Sequence, residues 1–208
     1  MSDISLFDAI HTQRAIRRFS MDPVPDDAIK AILEAAVKAP SGGDKQPWYF
    51  IVIREAETKS RIGEWYLDGW NIAYGNMQPG QTLSSSVYQS ADHLAHHMGE
   101  SPVLILVCLD RGVSGPGPGP ITTGASIYPA VQNLLLSAQG LGLGTVLTTL
   151  HRRHEDEIKE LLGIPENVET AALIPVGYPA EGERFGGSRR KPVEEVTFYD
   201  RWGPRALI

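Results

Sequence analysis

The chain has 208 residues, 42% of them hydrophobic and 21% charged, and a net charge of −6; that length holds one domain with a full core and is short for two. The acidic balance argues against a nucleic-acid partner, which would need a basic face, and no apolar run reaches the length of a membrane span. The single cysteine, Cys108, allows no intrachain disulfide, and Met1-Ser2-Asp3 opens an N-terminus without an apolar signal core, so a cytoplasmic location is expected.

In chain order, residues 4–13 read as a short helix with Leu6, Phe7 and Ile10 on one face. Asp26-Asp27 is expected to cap a second helix, in which Ala28, Ile29, Ile32, Leu33, Ala36 and Val37 recur at spacings of three and four until Pro40 ends it. Trp48 to Ile53 is aromatic and β-branched, a strand. Residues 56–66 are expected to be helical, 67–85 carry no readable pattern, and 86–98 are again helical. Val103 to Leu109 is a fully apolar central strand, with Cys108 as a buried strand residue. Gly112 to Pro120 alternates Gly and Pro and reads as a mobile loop. Residues 123–139 form a helix apolar on nearly every side, expected to be central or shared with a second subunit. A strand over 144–150, a helix over 155–162, a strand over 170–176 and an extended amphipathic arm from Val193 to Ile208, bearing Phe198, Tyr199 and Trp202, complete the chain. Several helices and four or five strands without strict alternation indicate an α+β fold in one domain, 1–208.

Several tempting motifs carry little. Gly140-Leu141-Gly142-Leu143-Gly144 lies after a helix and before a strand, the reverse of the dinucleotide-binding order. His93, His96, His97, His151 and His154 lack a suitably placed carboxylate or Cys set, so no metal is expected. No Gly-x-Ser-x-Gly elbow is present.

Two segments carry more. In Arg14-Ala15-Ile16-Arg17-Arg18-Phe19 the guanidinium groups of Arg14 and Arg17, three apart, can converge on one phosphate with planar bidentate donors. In Pro40-Ser41-Gly42-Gly43-Asp44-Lys45-Gln46-Pro47-Trp48 two glycines let backbone approach a flat ligand, and Gln46 offers donor and acceptor to a ring edge. A second basic cluster, Arg189-Arg190-Lys191, stands near the other end of the chain. Two small cationic spots in an acidic chain suit a compact anionic ligand.

Together these segments resemble the nitroreductase family of FMN enzymes over nearly the whole chain. The first is similar to the family's Arg-Arg-Ser-Ile-Arg-x-Phe segment, and Pro40 to Trp48 to its Pro-Ser-x-x-Asn-x-Gln-Pro-Trp loop. The apolar helix running into Gly142-Leu143-Gly144-Thr145, and Ser188-Arg189-Arg190-Lys191-Pro192-Val193-Glu194-Glu195-Val196, resemble the family's dimer-core helix and its Arg-Lys-Pro-Leu-Glu-Glu-Val signature. The resemblance implies a three-layer α/β/α sandwich with a mixed, mostly antiparallel sheet, in an intertwined homodimer that exchanges C-terminal arms. It implies two FMN sites built by both protomers: Arg14, Arg17, the backbone of Ala15, and Arg190 helped by Arg189 on the phosphate; Pro40, Ser41, Gly42, Asp44 and Gln46 from the loop of the other protomer; Leu147, Thr148 and Thr149 along the ring system. Gln13, Ala15 and Asp44 depart from the usual Arg, Ser and Asn, and an ionised Asp44 accepts but cannot donate. The implied reaction is ping-pong hydride transfer from NAD(P)H through FMN N5 to a small, flat, electron-poor acceptor such as a nitroaromatic or quinone, with no catalytic acid or base from the protein. Residues 63–90 and 112–122 would form its mouth. Relatives within the fold carry out reductive dehalogenation, oxidative cleavage of flavin, or dehydrogenation of peptide-bound rings. A flavin-storage protein, with Trp65, Tyr66 or Trp70 filling the stacking slot, is a further alternative.

Overall fold

The structure, a computed structural model, describes residues 4–76, 85–115 and 120–203. The helices are α1 (Leu6–Thr12), α2 (Asp26–Ala36), α3 (Ala56–Tyr74), α4 (Ser85–His97), α5 (Arg111–Ser114), α6 (Pro120–Gly124), α7 (Tyr128–Gly140) and α8 (Glu155–Leu162), and the strands are β1 (Trp48–Ile53), β2 (Val103–Asp110), β3 (Gly144–Thr145) and β4 (Val168–Gly177).

The strands form one antiparallel sheet in the order β1-β2-β4-β3. Successive side chains of a strand point to opposite faces, and β2 divides its apolar residues accordingly. Val103, Ile105, Val107 and Leu109 pack with α2 and α7 on one face, while Leu104, Leu106 and Cys108 pack with α3, α4 and α8 on the other. All seven are almost fully buried, which is why this run is continuously apolar rather than alternating. The result is the expected three-layer α/β/α sandwich. Among the described residues the parallel element is a single bridge, Ala15 to Thr145, on the outer side of β3. A bulge at Ala171 shifts the β2–β4 register, so that Val107 faces Ala172 and Cys108 faces Thr170. Burial raises the Cys108 thiol pKa to about 12, as befits a packing residue.

Several boundaries differ from expectation, each for a local reason. Pro25, fixed at φ −63°, takes the N-cap position of α2, so Asp26 and Asp27 lie inside the first turn; there Asp27 Oδ1 accepts the Ala28 N–H at 2.8 Å and both acids still favour the positive helix end. Helix α3 runs on to Tyr74 because Tyr66, Gly69 and Trp70 keep a buried face. The helix expected over 123–139 is interrupted. Pro129 in the first turn of α7 sets its start, and the ring of Tyr128 folds over Gly124, where a Cβ would stand 3.2 Å from it. The strand expected over 144–150 pairs as a ladder only at Gly144–Thr145, touches β4 again at Thr148, and turns into a 3-10 helix over Leu150–His154. Of the unpatterned stretch 67–85, residues 77–84 lie outside the described residues, as do 116–119 of the Gly-Pro loop. No helix among the described residues is long and apolar enough to cross a membrane.

Candidate functional site

The first cationic segment is stitched to the β3 edge of the sheet. Helix α1 is N-capped by Ser5, whose Oγ accepts the Asp8 N–H at 3.1 Å, and C-capped by Gln13, where the chain becomes extended. Ile16 donates its N–H to Thr145 O at 3.0 Å, Ser20 donates to Tyr178 O at 2.9 Å, and Ala180 donates to Arg18 O at 3.0 Å. Ile16 is fully buried while Arg14 stays exposed and Arg17 half-buried. The structure therefore holds Arg14 and Arg17 on an extended segment bridged to the sheet at Ala15.

Arg17 links this segment to the sheet interior. Burial lowers its pKa, opposed by the nearby Tyr66 phenol and Glu183, and the guanidinium of Arg14 lowers it further. Tyr66 is itself buried, its pKa raised to about 12 by desolvation, against an opposing contribution from the Thr148 side chain. Arg14 and Tyr66 are thus the electrostatic neighbours of Arg17 on either side. Thr148 donates both its N–H (3.1 Å) and its hydroxyl (2.7 Å) to Leu173 O, so its polar groups face inward. Leu147 and Thr149, on either side, are exposed; they are the pair that can meet a ligand.

The second basic cluster comes to the same edge. Gly186 donates its N–H to Thr12 O at 2.9 Å, so the chain enters Ser188-Arg189-Arg190 two residues beyond a contact that lies two residues before Arg14. Both arginines are exposed, and Arg190 Nη1 reaches the Arg189 carbonyl at 3.1 Å. The donor set, guanidinium groups from both chain ends with Arg17 partly withdrawn from water, is chemically suited to a phosphate dianion.

The loop from Pro40 to Gln46 is built differently. Gly43, Asp44 and Gln46 all have positive φ, at 62°, 53° and 49°, which a non-glycine residue adopts only when held. Ser41 Oγ accepts the Gln46 N–H at 2.9 Å, and Gln46 Nε2 donates to Asp44 Oδ1 at 3.0 Å. The carboxylate at position 44 so takes one of the two N–H donors of the Gln46 amide expected to meet a ring edge, and the second N–H and the carbonyl remain. Gly42 N–H donates to Ser126 Oγ at 3.0 Å, and Lys45 Nζ to Ser114 O at 3.3 Å, which anchors the loop beside α5 and α7.

Arginine strand and loop stand at diagonal corners of the sheet. The loop leads into Trp48, opposite Leu109 and Glu169; the arginine strand is bridged to Thr145, opposite Val176 and Val103. Four inter-strand spacings of about 4.8 Å across and six residues of about 3.4 Å along separate them, roughly 25–30 Å in all. Within one chain the structure brings Arg14, Ala15 and Arg17 together with Leu147 to Thr149 and with the approach to Arg189–Arg190, and holds Pro40 to Gln46 apart.

Some features had no signal in the sequence. A cavity of about 770 Å³ is floored by Arg111, Arg152 and Glu169 and walled by Ile121, Thr123 and Tyr128. Arg111 grips Glu169 with two bonds, at 2.7 and 2.8 Å, which raises its own pKa and lowers that of Glu169. The pair joins residues 58 apart in sequence, so only the sheet register brings it together. Tyr66 and Trp70, considered as blockers of a stacking slot, are 4% and 3% exposed in the core, and Trp65 stacks on His154. His93 and His97 stack on each other at 4.1 Å, and among the described residues no group of three or more metal-ligating side chains forms.

Comparison with known proteins places the chain. The model of the nitroreductase family matches residues 10–178. A Methanothermobacter thermautotrophicus protein assigned as NADH dehydrogenase/NAD(P)H nitroreductase is 35% identical over 87% of this chain and 81% of its own. Iodotyrosine deiodinase 1 of Rattus norvegicus is 28% identical over 94% of this chain and 70% of its own. The structure of a Desulfovibrio desulfuricans protein assigned as a nitroreductase, in complex with FMN, superposes with a TM-score of 0.70 at 27% identity, covering 97% of this chain and 100% of that one. The chain belongs to the nitroreductase family, and it is an oxidoreductase of that family.

Proposed function

We propose that the protein binds FMN between two copies of the chain and passes reducing equivalents from NAD(P)H to a small, flat, electron-poor acceptor. The observation that carries this reading is the pair of diagonal corners. One corner gathers guanidinium groups from both chain ends, the other presents a glycine loop, and the distance between them exceeds an extended FMN. A two-fold dimer sets the loop of one protomer against the arginine corner of its partner.

When bound, FMN supplies hydride acceptance and delivery at N5. The chain's own residues then bind and orient. Arg14, Arg17, Arg190 and Arg189 hold the phosphate through charge-assisted bonds, with the Ala15 backbone beside them. Leu147 and Thr149 face the ring system, and Leu147 excludes water from its edge. From the partner, Ser41, Gly42 and the Gln46 carbonyl close the opposite side, with Pro40 fixing the loop's entry and Asp44 holding the Gln46 amide. The protein moves no proton in this scheme.

Apolar surface supports the dimer. In a single chain Phe7 is 70% and Trp202 87% exposed, and Phe198 and Trp202 stack at 4.4 Å in an otherwise solvent-facing arm. A groove of about 500 Å³ lies between α2 and the open edge of β1, lined by Ile29, Leu33, Val37 and Val52; arm exchange would fill it.

The test is direct. Purified protein, supplied with FMN, is expected to retain one flavin per chain and to bleach under anaerobic NADH or NADPH. A nitroaromatic or quinone then restores the colour. Flavin that stays oxidised through long incubation with both nucleotides would sink the reading. Likeness to the deiodinase favours a second outcome, reductive dehalogenation, which halide release from a haloaromatic separates from nitro or quinone reduction.

A further inference from the structure

The 3-10 turn that follows Leu147–Thr149 is tied to two helices through one imidazole. His154 Nε2 lies 2.7 Å from Asp68 Oδ2 on α3, and its Nδ1 lies 3.1 Å from Glu157 Oε1 on α8. A neutral imidazole carries one N–H; only the imidazolium donates to both carboxylates. The ring also stacks on Trp65, with centroids 6.3 Å apart and planes 16° apart. Beside Asp68, Gly69 lets α3 come so close that a Cβ there would stand 2.9 Å from Leu150 O. This part of α3 thus reaches the stretch from Leu150 to His154 through Trp65, Asp68 and Gly69. The sheet holds the residues just before it by the Thr148–Leu173 bridge.

We infer that His154 is a positioning residue whose imidazolium, bridging α3 to α8, fixes the presentation of Leu147 and Thr149 and so strengthens FMN binding. The inference rests on the FMN reading above. The charged groups that face the ring are Asp68 from α3 and Glu157 from α8; Arg61 lies over the Trp65 indole at 4.8 Å and meets the ring only through it. The bond to Asp68 first, and then that to Glu157, raise the pKa of His154 above the usual value, against its own desolvation. The bridge is therefore complete at and below ordinary histidine pH, and one carboxylate is released as pH rises through the raised value.

Two readouts test this at about pH 6.5 and about pH 9, on either side of a raised histidine pKa: FMN affinity from flavin fluorescence quenching, and hydrogen-exchange protection of residues 147–150 after correction for intrinsic rates. In the wild type both are expected to fall at the higher pH, the affinity by roughly three- to fivefold, as for an ion pair near the surface. His154→Gln, which does not titrate, should show the wild-type high-pH values at both. An unchanged wild-type affinity and protection, or a pH change that survives in His154→Gln, overturns the inference. Absence of flavin uptake at either pH overturns the FMN reading instead, and protection alone then decides whether the clamp exists.

Discussion

Gly144 has no room for a methyl group. A Cβ there would stand 2.6 Å from Ile16 Cγ2 and 2.7 Å from Ile16 Cβ, and Ile16 cannot withdraw without dragging the strand that carries Arg14 and Arg17. Gly144→Ala should destabilise the fold by about 1–3 kcal/mol and weaken FMN binding as well. Gly142→Ala is the control. Its φ of +76° makes it strained, but nothing lies within 4 Å of the added atom, so stability should fall without loss of FMN affinity. Urea unfolding paired with flavin titration separates the two. Arg190 makes the complementary case. It is exposed and bonds only the neighbouring Arg189 carbonyl among the described residues, so Arg190→Ala should leave the unfolding midpoint nearly unchanged. FMN affinity should nonetheless drop about tenfold or more, the worth of a charged hydrogen bond. An unchanged dissociation constant would remove Arg190 from the phosphate site.

The 3-10 turn Leu150–His154 carries two histidines with opposite linkage to pH. His151 is fully buried, both ring nitrogens lack a hydrogen-bond partner, and burial lowers its pKa to about 4, against the pull of Glu155. A base with a lowered folded pKa contributes stability that is complete above the unfolded value and is lost as pH falls from there towards 4. Stability should therefore fall between about pH 6.5 and pH 4 by as much as roughly 3 kcal/mol, and His151→Leu should flatten that fall in thermal melts. A melt series whose acid limb is unaltered in the variant would show that other groups carry it. At this scale the sequence was uneven as a guide. The run Val103–Leu109 announced a strand buried on both faces, and the Ile29–Ile32–Ala36 spacing announced α2, because burial writes itself into periodicity. The early end of the expected strand over 144–150 left no such mark: α3 packs through Gly69 against Leu150 O, where the 3-10 turn replaces it. The cationic segment and the loop could be singled out by residue type, since guanidinium groups and glycines suit phosphate and flat-ring ligands, while their roles were implied only by the family resemblance. Their placement at opposite corners depends on strand order, which no local pattern encodes.

That placement makes a strong demand on the whole molecule. If each FMN is held by the arginine corner of one protomer and the loop of its partner, damage to the two corners must complement across subunits. Take one chain carrying Arg14→Ala with Arg17→Ala, and another carrying Gly42→Trp, which crowds the loop beside Ser126. Each homodimer should bind little FMN. In a mixed dimer, one site combines both defects and the other has neither, so half of the wild-type flavin content should return, with affinity close to wild type. Sites built within one chain would give the opposite result, because every chain in the mixture would carry a defect and no flavin would be recovered. Differently tagged chains, co-expressed and purified through both tags, allow the flavin absorbance per dimer to be read directly, with circular dichroism of each homodimer checking that the fold is intact. The measurement needs no substrate, so it decides where FMN sits independently of which acceptor the enzyme reduces.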